Sequence, residues 1–164
     1  MHKILNNVRA EECPVKVKAG PVTLDGSLCI PPRVKGIVLF AHGSGSSRLS
    51  PRNKYVAQVL QNANIGTLLF DLLTRKEEII DDTNAKYRFD IKLLARRLVD
   101  ATDWLPDFLG AENAKIGYFG ASTGAAAALM AAAERPSAIQ AIVSRGGRPD
   151  LAGNTLTKVK PLPC

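Results

Sequence analysis

Histidine is nearly missing from this sequence. The chain has 164 residues and two histidines, His2 and His42, and none follows residue 42. Cysteine is sparse as well. Cys13, Cys29 and Cys164 form no C-x-x-C pair and no metal-ligand spacing, and an odd number argues against a disulfide framework. Nothing in the residues calls for a metal or a cofactor. Met1 to Glu12 holds no apolar core of a signal peptide. The longest apolar run, Ala125 to Ala133, is far too short to span a membrane. These absences make a reducing, cytoplasmic setting the default, with no membrane as partner.

Acidic charge is also in short supply. The chain carries 22 Lys and Arg against 15 Asp and Glu, a formal charge of +7. The basic residues are scattered, and the longest pure runs are pairs such as Arg96-Arg97. Scattered charge reads as a solvated surface, so nucleic acid is not an expected partner. Apolar residues make up 46% and charged residues 23%, the balance of a soluble globular protein. The length suits a single domain, residues 1–164, with a real core.

What the sequence does contain centres on Lys115 to Gly124 and the alanines that follow. A short apolar strand runs into a glycine-flanked turn, Gly120-Ala121-Ser122-Thr123-Gly124, and then into a strong helix former. A G-x-S-x-G between a strand and a helix is the pattern of a nucleophile elbow. Gly120 and Gly124 lack a Cβ, which lets the helix pass close to its strand. The N-terminus of that helix favours negative charge developing beside Ser122.

The rest of the chain supplies alternating strands and helices. Val15 and Val17 alternate with lysines as in an edge strand, and Val22 to Ile30 pairs with it as a hairpin, with a turn near Asp25-Gly26. Gly36 to Ala41 is continuously apolar, as a strand buried on both faces is, and Ile65 to Phe70 and Ala138 to Ser144 read as further buried strands. Ser50 and Pro51 open a helix to about Ala63, which would turn Tyr55, Val59 and Leu60 to the sheet. Residues 72–87 read as a polar loop. Arg88 to Leu105 has the spacing of an amphipathic helix, with Trp104 and Phe108 as core residues. The expected fold is α/β, a mostly parallel sheet of about six strands between helical layers.

Three segments together resemble the α/β-hydrolase superfamily, in its dienelactone hydrolase-like branch. They are His42 to Asn53, Gly120 to Gly124, and Ser144 to Asp150. The resemblance implies that Ser122 is the nucleophile, where dienelactone hydrolases proper use cysteine. It implies oxyanion donors at the N–H groups of Thr123 and Ser44, each worth about 3 kcal/mol, and a substrate loop including Gly43 and Gly45. It implies a small carboxylic ester or lactone as substrate. Arg48, Arg145 and Arg148 sit near strand ends, where they either hold an anionic group or tie loops to neighbours such as Asp71. His42 is either a structural residue of its loop or a substitute base. Asp150 reads as a turn or cap residue.

The family orders its catalytic groups as serine, then acid, then histidine. No histidine follows Ser122 here, so the last strand–helix units are expected to be lacking, and prolines 161 and 163 oppose a central strand in the tail. Three readings stay open: a shortened ester hydrolase, a binding protein that keeps the hydrolase pocket, and a chain completed by a partner. The bare edge expected at Ala138 to Ser144 predicts a homo-oligomer.

Overall fold

A computed structural model of the protein describes residues 10–159. His2, Cys164 and the expected tail at 160–164 lie outside the described residues. Six strands form one mixed sheet in the order β1-β2-β4-β3-β5-β6. β1 (Glu12–Ala19) and β2 (Val22–Cys29) form an antiparallel hairpin that turns at Gly20-Pro21. β2 continues straight through Asp25-Gly26, so no turn forms there. Gly26 is instead a packing position: a Cβ on it would come within 3.1 Å of Val15 and 3.3 Å of Phe70.

β3 (Ile37–Ala41), β4 (Gly66–Phe70), β5 (Ile116–Ala121) and β6 (Ile139–Arg145) run parallel to one another. β3 lies between β4 and β5, so the chain leaves it in one direction and returns on the other side. Ligands bind at the carboxyl ends of strands at such a switch point. The period of two is apolar on both faces. Leu39, Leu68 and Tyr118 enter the larger core, and Phe40, Leu69 and Phe119 the smaller.

Helix α1 (Pro51–Asn62) covers the smaller core. Of the three residues expected to face the sheet, Leu60 does so and Tyr55 and Val59 do not. Tyr55 is 70% exposed and Val59 51% exposed, while Asn53 and Ala57 are buried and Val56 and Leu60 flank them. Small side chains at the contact let α1 approach the sheet closely. The segment expected to be a loop contains a helix, α2 (Arg75–Asn84). Thr74 accepts from the Glu77 N–H, and Glu77 accepts in return from the Thr74 N–H. That reciprocal pair satisfies donors that otherwise have no partner at a helix start.

Helices α3 (Ile91–Leu109) and α4 (Thr123–Glu134) pack side by side on the other face. α3 buries Leu94, Leu98, Ala101 and Leu105. Trp104 packs against this core, but Phe108 is exposed and stacks on Trp104 at 4.5 Å. α4 buries Ala125 to Ala128, Ala131 and Ala132. Methyl side chains hold it tight against both α3 and the sheet. Short 3-10 turns within Pro149–Lys158, kinked at Gly153, close the described chain. β6 forms an edge among the described residues, with Val143 half exposed. No helix of the described residues is long and apolar enough to cross a membrane.

Candidate active site

β3, β4, β5 and β6 deliver their loops to one rim of the sheet. The β3 loop begins at His42, the β4 loop at Asp71, the β5 turn at Ser122 and the β6 turn at Gly146. Ser122 stands between β5 and α4 with φ 53° and ψ −121°. A non-glycine residue at positive φ is held under strain, which persists only where the surroundings impose it. Here the surroundings are two glycines. A Cβ at Gly120 would lie 2.5 Å from the Ala125 Cα, and one at Gly124 would lie 2.1 Å from the Ala41 carbonyl oxygen. Strand and helix therefore meet at backbone distance, and the serine between them is turned outward.

Serine at a helix N-cap ordinarily folds its hydroxyl back onto the first-turn N–H groups. The Ser122 hydroxyl makes no such bond. Its backbone is tied instead: its N–H donates to the Arg145 carbonyl at 3.3 Å, and its own carbonyl accepts from Ala125 N–H at 3.0 Å. The Thr123 N–H, the first of α4, has no partner among the described residues. Gly43 lies against the serine, since a Cβ there would reach the Ser122 Cβ at 3.2 Å.

The β3 loop differs in detail from expectation. The Ser44 N–H donates to Thr123 Oγ1 at 3.0 Å, so it is already engaged and does not face an open oxyanion position. His42 is buried. Its Nδ1 lies 2.9 Å from the Gly43 carbonyl oxygen, and its Nε2 accepts from the Leu72 N–H at 3.0 Å. That partner set fixes the neutral tautomer with the proton on Nδ1. Burial pushes the imidazole pKa below its ordinary value. Both nitrogens are committed to backbone, so the ring braces the β3 loop against the β4 loop and offers Ser122 no base.

Arg48 is also a brace. Its N–H donates to Asp71 Oδ1 at 2.7 Å and its guanidinium pairs with Asp71 Oδ2. It therefore ties two loops together rather than facing a substrate. Arg148 pairs with Asp150 on the surface at 2.7 Å. Asp150 lies in the first turn of the 3-10 segment, as a turn residue would.

Two cavities share a wall at this rim. One, of about 390 Å³, is lined by Ser122, Ala121, Gly43, Ser46, Arg145 and the first turn of α1. The other, of about 470 Å³, is lined by the His42 to Ser47 loop, Thr123 and the polar side of α2, including Arg75, Glu78 and Asp81. Gly45 lines this second cavity, with φ 69° in the left-handed region. Asp81 is buried and accepts from the N–H groups of Tyr87 and Arg88 and from the Arg88 guanidinium. Burial alone would raise its pKa, but these bonds together hold the carboxyl below its usual value.

Sequence reasoning missed two contributors to this rim. α2 went unseen although Thr74-Arg75-Lys76-Glu77 spells a capping box. Arg52 and Asn53 were given no role, although a helix start at Ser50-Pro51 places both in its first turn, beside the β3 loop.

The switch-point sheet and the strained serine elbow define an α/β-hydrolase. Comparisons narrow this further. A dienelactone hydrolase from Anabaena variabilis is 61% identical, with the match covering 93% of this chain and 71% of that one at a TM-score of 0.90. The chain belongs to the dienelactone hydrolase-like branch of the α/β-hydrolases. An esterase from Pyrococcus furiosus (22% identical, 84% and 50% of the two chains, TM-score 0.67) shares the fold. So does a dienelactone hydrolase-like promiscuous phosphotriesterase from metagenomic libraries (22%, 85% and 60%, TM-score 0.65). A Mycobacterium tuberculosis protein provisionally named a phosphoribosyl transferase is 56% identical over 152 residues, 93% of this chain. The chain spans about a third (33%) of the length of the curated relatives it matches. No family model matches the chain.

Proposed function

We propose that this chain carries the nucleophile and oxyanion half of a serine hydrolase acting on small carboxylic esters or lactones. One observation carries the reading: the Ser122 hydroxyl is strained away from its helix and left without an intramolecular cap. In the reaction, Ser122 Oγ bonds to the ester carbonyl carbon and the carbonyl oxygen takes up the negative charge. The Thr123 N–H and the α4 dipole stabilise that charge. Collapse breaks the bond to the alcohol oxygen, which leaves with a proton, and water then releases the acid.

Attack also requires a group to accept the serine proton. His42 is the one imidazole among the described residues, and its nitrogens are occupied. The proton acceptor therefore comes from polypeptide beyond the described residues. The Anabaena protein extends past the region of the match, which supports this assignment. The occupied His42 favours one alternative, a binding protein that keeps the pocket and never deprotonates Ser122. The phosphoribosyl transferase name belongs to the mycobacterial relatives, of which this chain spans 33%.

A fluorophosphonate probe separates the two readings. Labelling of the wild type that is lost in Ser122→Ala supports an activated serine. No labelling at high probe concentration, in a protein that also carries the polypeptide supplying the proton acceptor, overturns the hydrolase reading in favour of the binding protein.

A further inference from the structure

The cavity beside Ser122 has an unusual lining for an ester pocket. Two arginines reach it, Arg52 from the first turn of α1 and Arg145 from the end of β6. Neither pairs with a carboxylate among the described residues, although most of the other arginines near this rim do. The Arg145 guanidinium lies 6.0 Å over the Phe119 ring, which fixes its direction without neutralising it. The first turn of α1 contains no acid and adds its own positive end.

Asn53 lines the same cavity and is 2% exposed. Its Oδ1 is buried and has no hydrogen-bond partner in the protein. A buried acceptor without a donor is costly, and native proteins rarely tolerate one without a reason. A ligand hydroxyl would supply the missing donor. The arginines and Asn53 thus ask for different groups on one molecule, an oxyanion and a hydroxyl.

We infer that the cavity formed by Arg52, Asn53 and Arg145 recognises an anionic, hydroxyl-bearing group on the substrate, held beside the ester that Ser122 attacks. This deepens the proposed function and rests on that reading for the role of Ser122, but not for the existence of the site. The oxyanion bridges the two guanidinium groups, and the hydroxyl donates to Asn53 Oδ1. Carboxylate and phosphate are the two oxyanions that fit this chemistry. Substrates of the class are esters or lactones of hydroxylated acids, or of hydroxylated phosphates.

Four small probes test the site by isothermal titration in chloride buffer of low ionic strength. Glycerate carries a carboxylate and hydroxyls, glycerol 3-phosphate a phosphate and hydroxyls, propionate a carboxylate alone, and glycerol hydroxyls alone. The better of the two hydroxylated anions is expected to bind at least about tenfold more tightly than propionate or glycerol, and which one wins identifies the anion. Arg52→Gln and Arg145→Gln are each expected to weaken it about tenfold or more. Both side chains are exposed, so folding is not at stake. Asn53→Ala is expected to bring a hydroxylated anion and its bare counterpart to nearly equal affinity. Binding that survives both arginine changes overturns the site, as does equal binding of glycerol and the anions, or no anion binding at all. Intact anion binding alongside failed fluorophosphonate labelling would remove the hydrolase reading and leave this site standing.

Discussion

Replacing Gly124 with alanine probes the contact on which the elbow depends. The new methyl carbon would stand 2.1 Å from the Ala41 carbonyl oxygen and 2.5 Å from that of His42, where Cβ contacts below 3.0 Å essentially never occur. The obstructing atoms belong to backbone, and Ala41 is held in register opposite Gly120 of β5. No side chain can rotate away, so α4 must retreat by about 1 Å in a core packed to crystal density. Overpacking costs about 1–3 kcal/mol when side chains relieve it. Here relief pulls the alanine face of α4 off the sheet, so about 3 kcal/mol or more is expected. For a domain of this size that lowers the melting temperature by about 6–12 °C. Gly110→Ala is the matched control. Gly110 also lacks a Cβ, with φ 62° and nothing within 4 Å. Its replacement meets only left-handed backbone strain, about 1 kcal/mol. Urea unfolding followed by circular dichroism compares the two. Gly124→Ala within 1 kcal/mol of the wild type, or milder than Gly110→Ala, would refute the close-approach reasoning.

Three further outcomes follow from the same geometry. The depressed pKa of His42 keeps its native ring neutral while the unfolded ring takes a proton near its ordinary value of 6.5. Stability is therefore full above that pH and falls as pH drops below it, and ring nitrogen NMR should show a neutral Nδ1–H tautomer throughout; a ring that titrates at or above 6.5 contradicts this. Thr74→Ala removes the capping box of α2 and should cost about 1 kcal/mol, with amide exchange rising first in Arg75 to Glu78; unchanged exchange there sinks the assignment. The exposed β6 edge should pair with another copy, so light scattering at high concentration should report a mass above the 17.6 kDa of one chain, and a monodisperse monomer counts against it.

The parts legible in the sequence were those held by local chemistry. β3, β4 and β5 are apolar on both faces, and that composition suits only a strand covered on two sides. The elbow was legible because its glycines and serine are contiguous. α2 escaped because it has no apolar stripe: Ile79 and Ile80 are exposed. Polar ties hold it instead, namely the Thr74–Glu77 box, the Glu77–Arg97 pair at 2.7 Å and the Asp81–Arg88 pair at 2.7 Å. The face of α1 was misjudged for a related reason. Size suggested Tyr55 and Val59, but closeness to the sheet selected Ala57. The roles of His42 and Arg48 were left as alternatives because their partners, Leu72 and Asp71, lie 30 and 23 residues away in the chain. Spacing within a segment carries no record of such bonds.

Those distant bonds share one arrangement. Ser44 to Thr123 ties the β3 loop to the elbow, and His42 to Leu72 and Arg48 to Asp71 tie it to the β4 loop. The β3 loop is thus fixed from both sides by polar contacts at its base. These contacts consume the groups that a reaction would otherwise draw on, the Ser44 N–H and the His42 ring. The unconsumed groups lie together on the other side: the Ser122 hydroxyl, Arg145, Arg52 and the orphaned Asn53 oxygen. Groups left unpaired in one place after a fold has satisfied the rest are what a ligand completes. By that reasoning the chemistry proposed for Ser122 faces its α1 and β6 side, and the His42 loop serves it as scaffold.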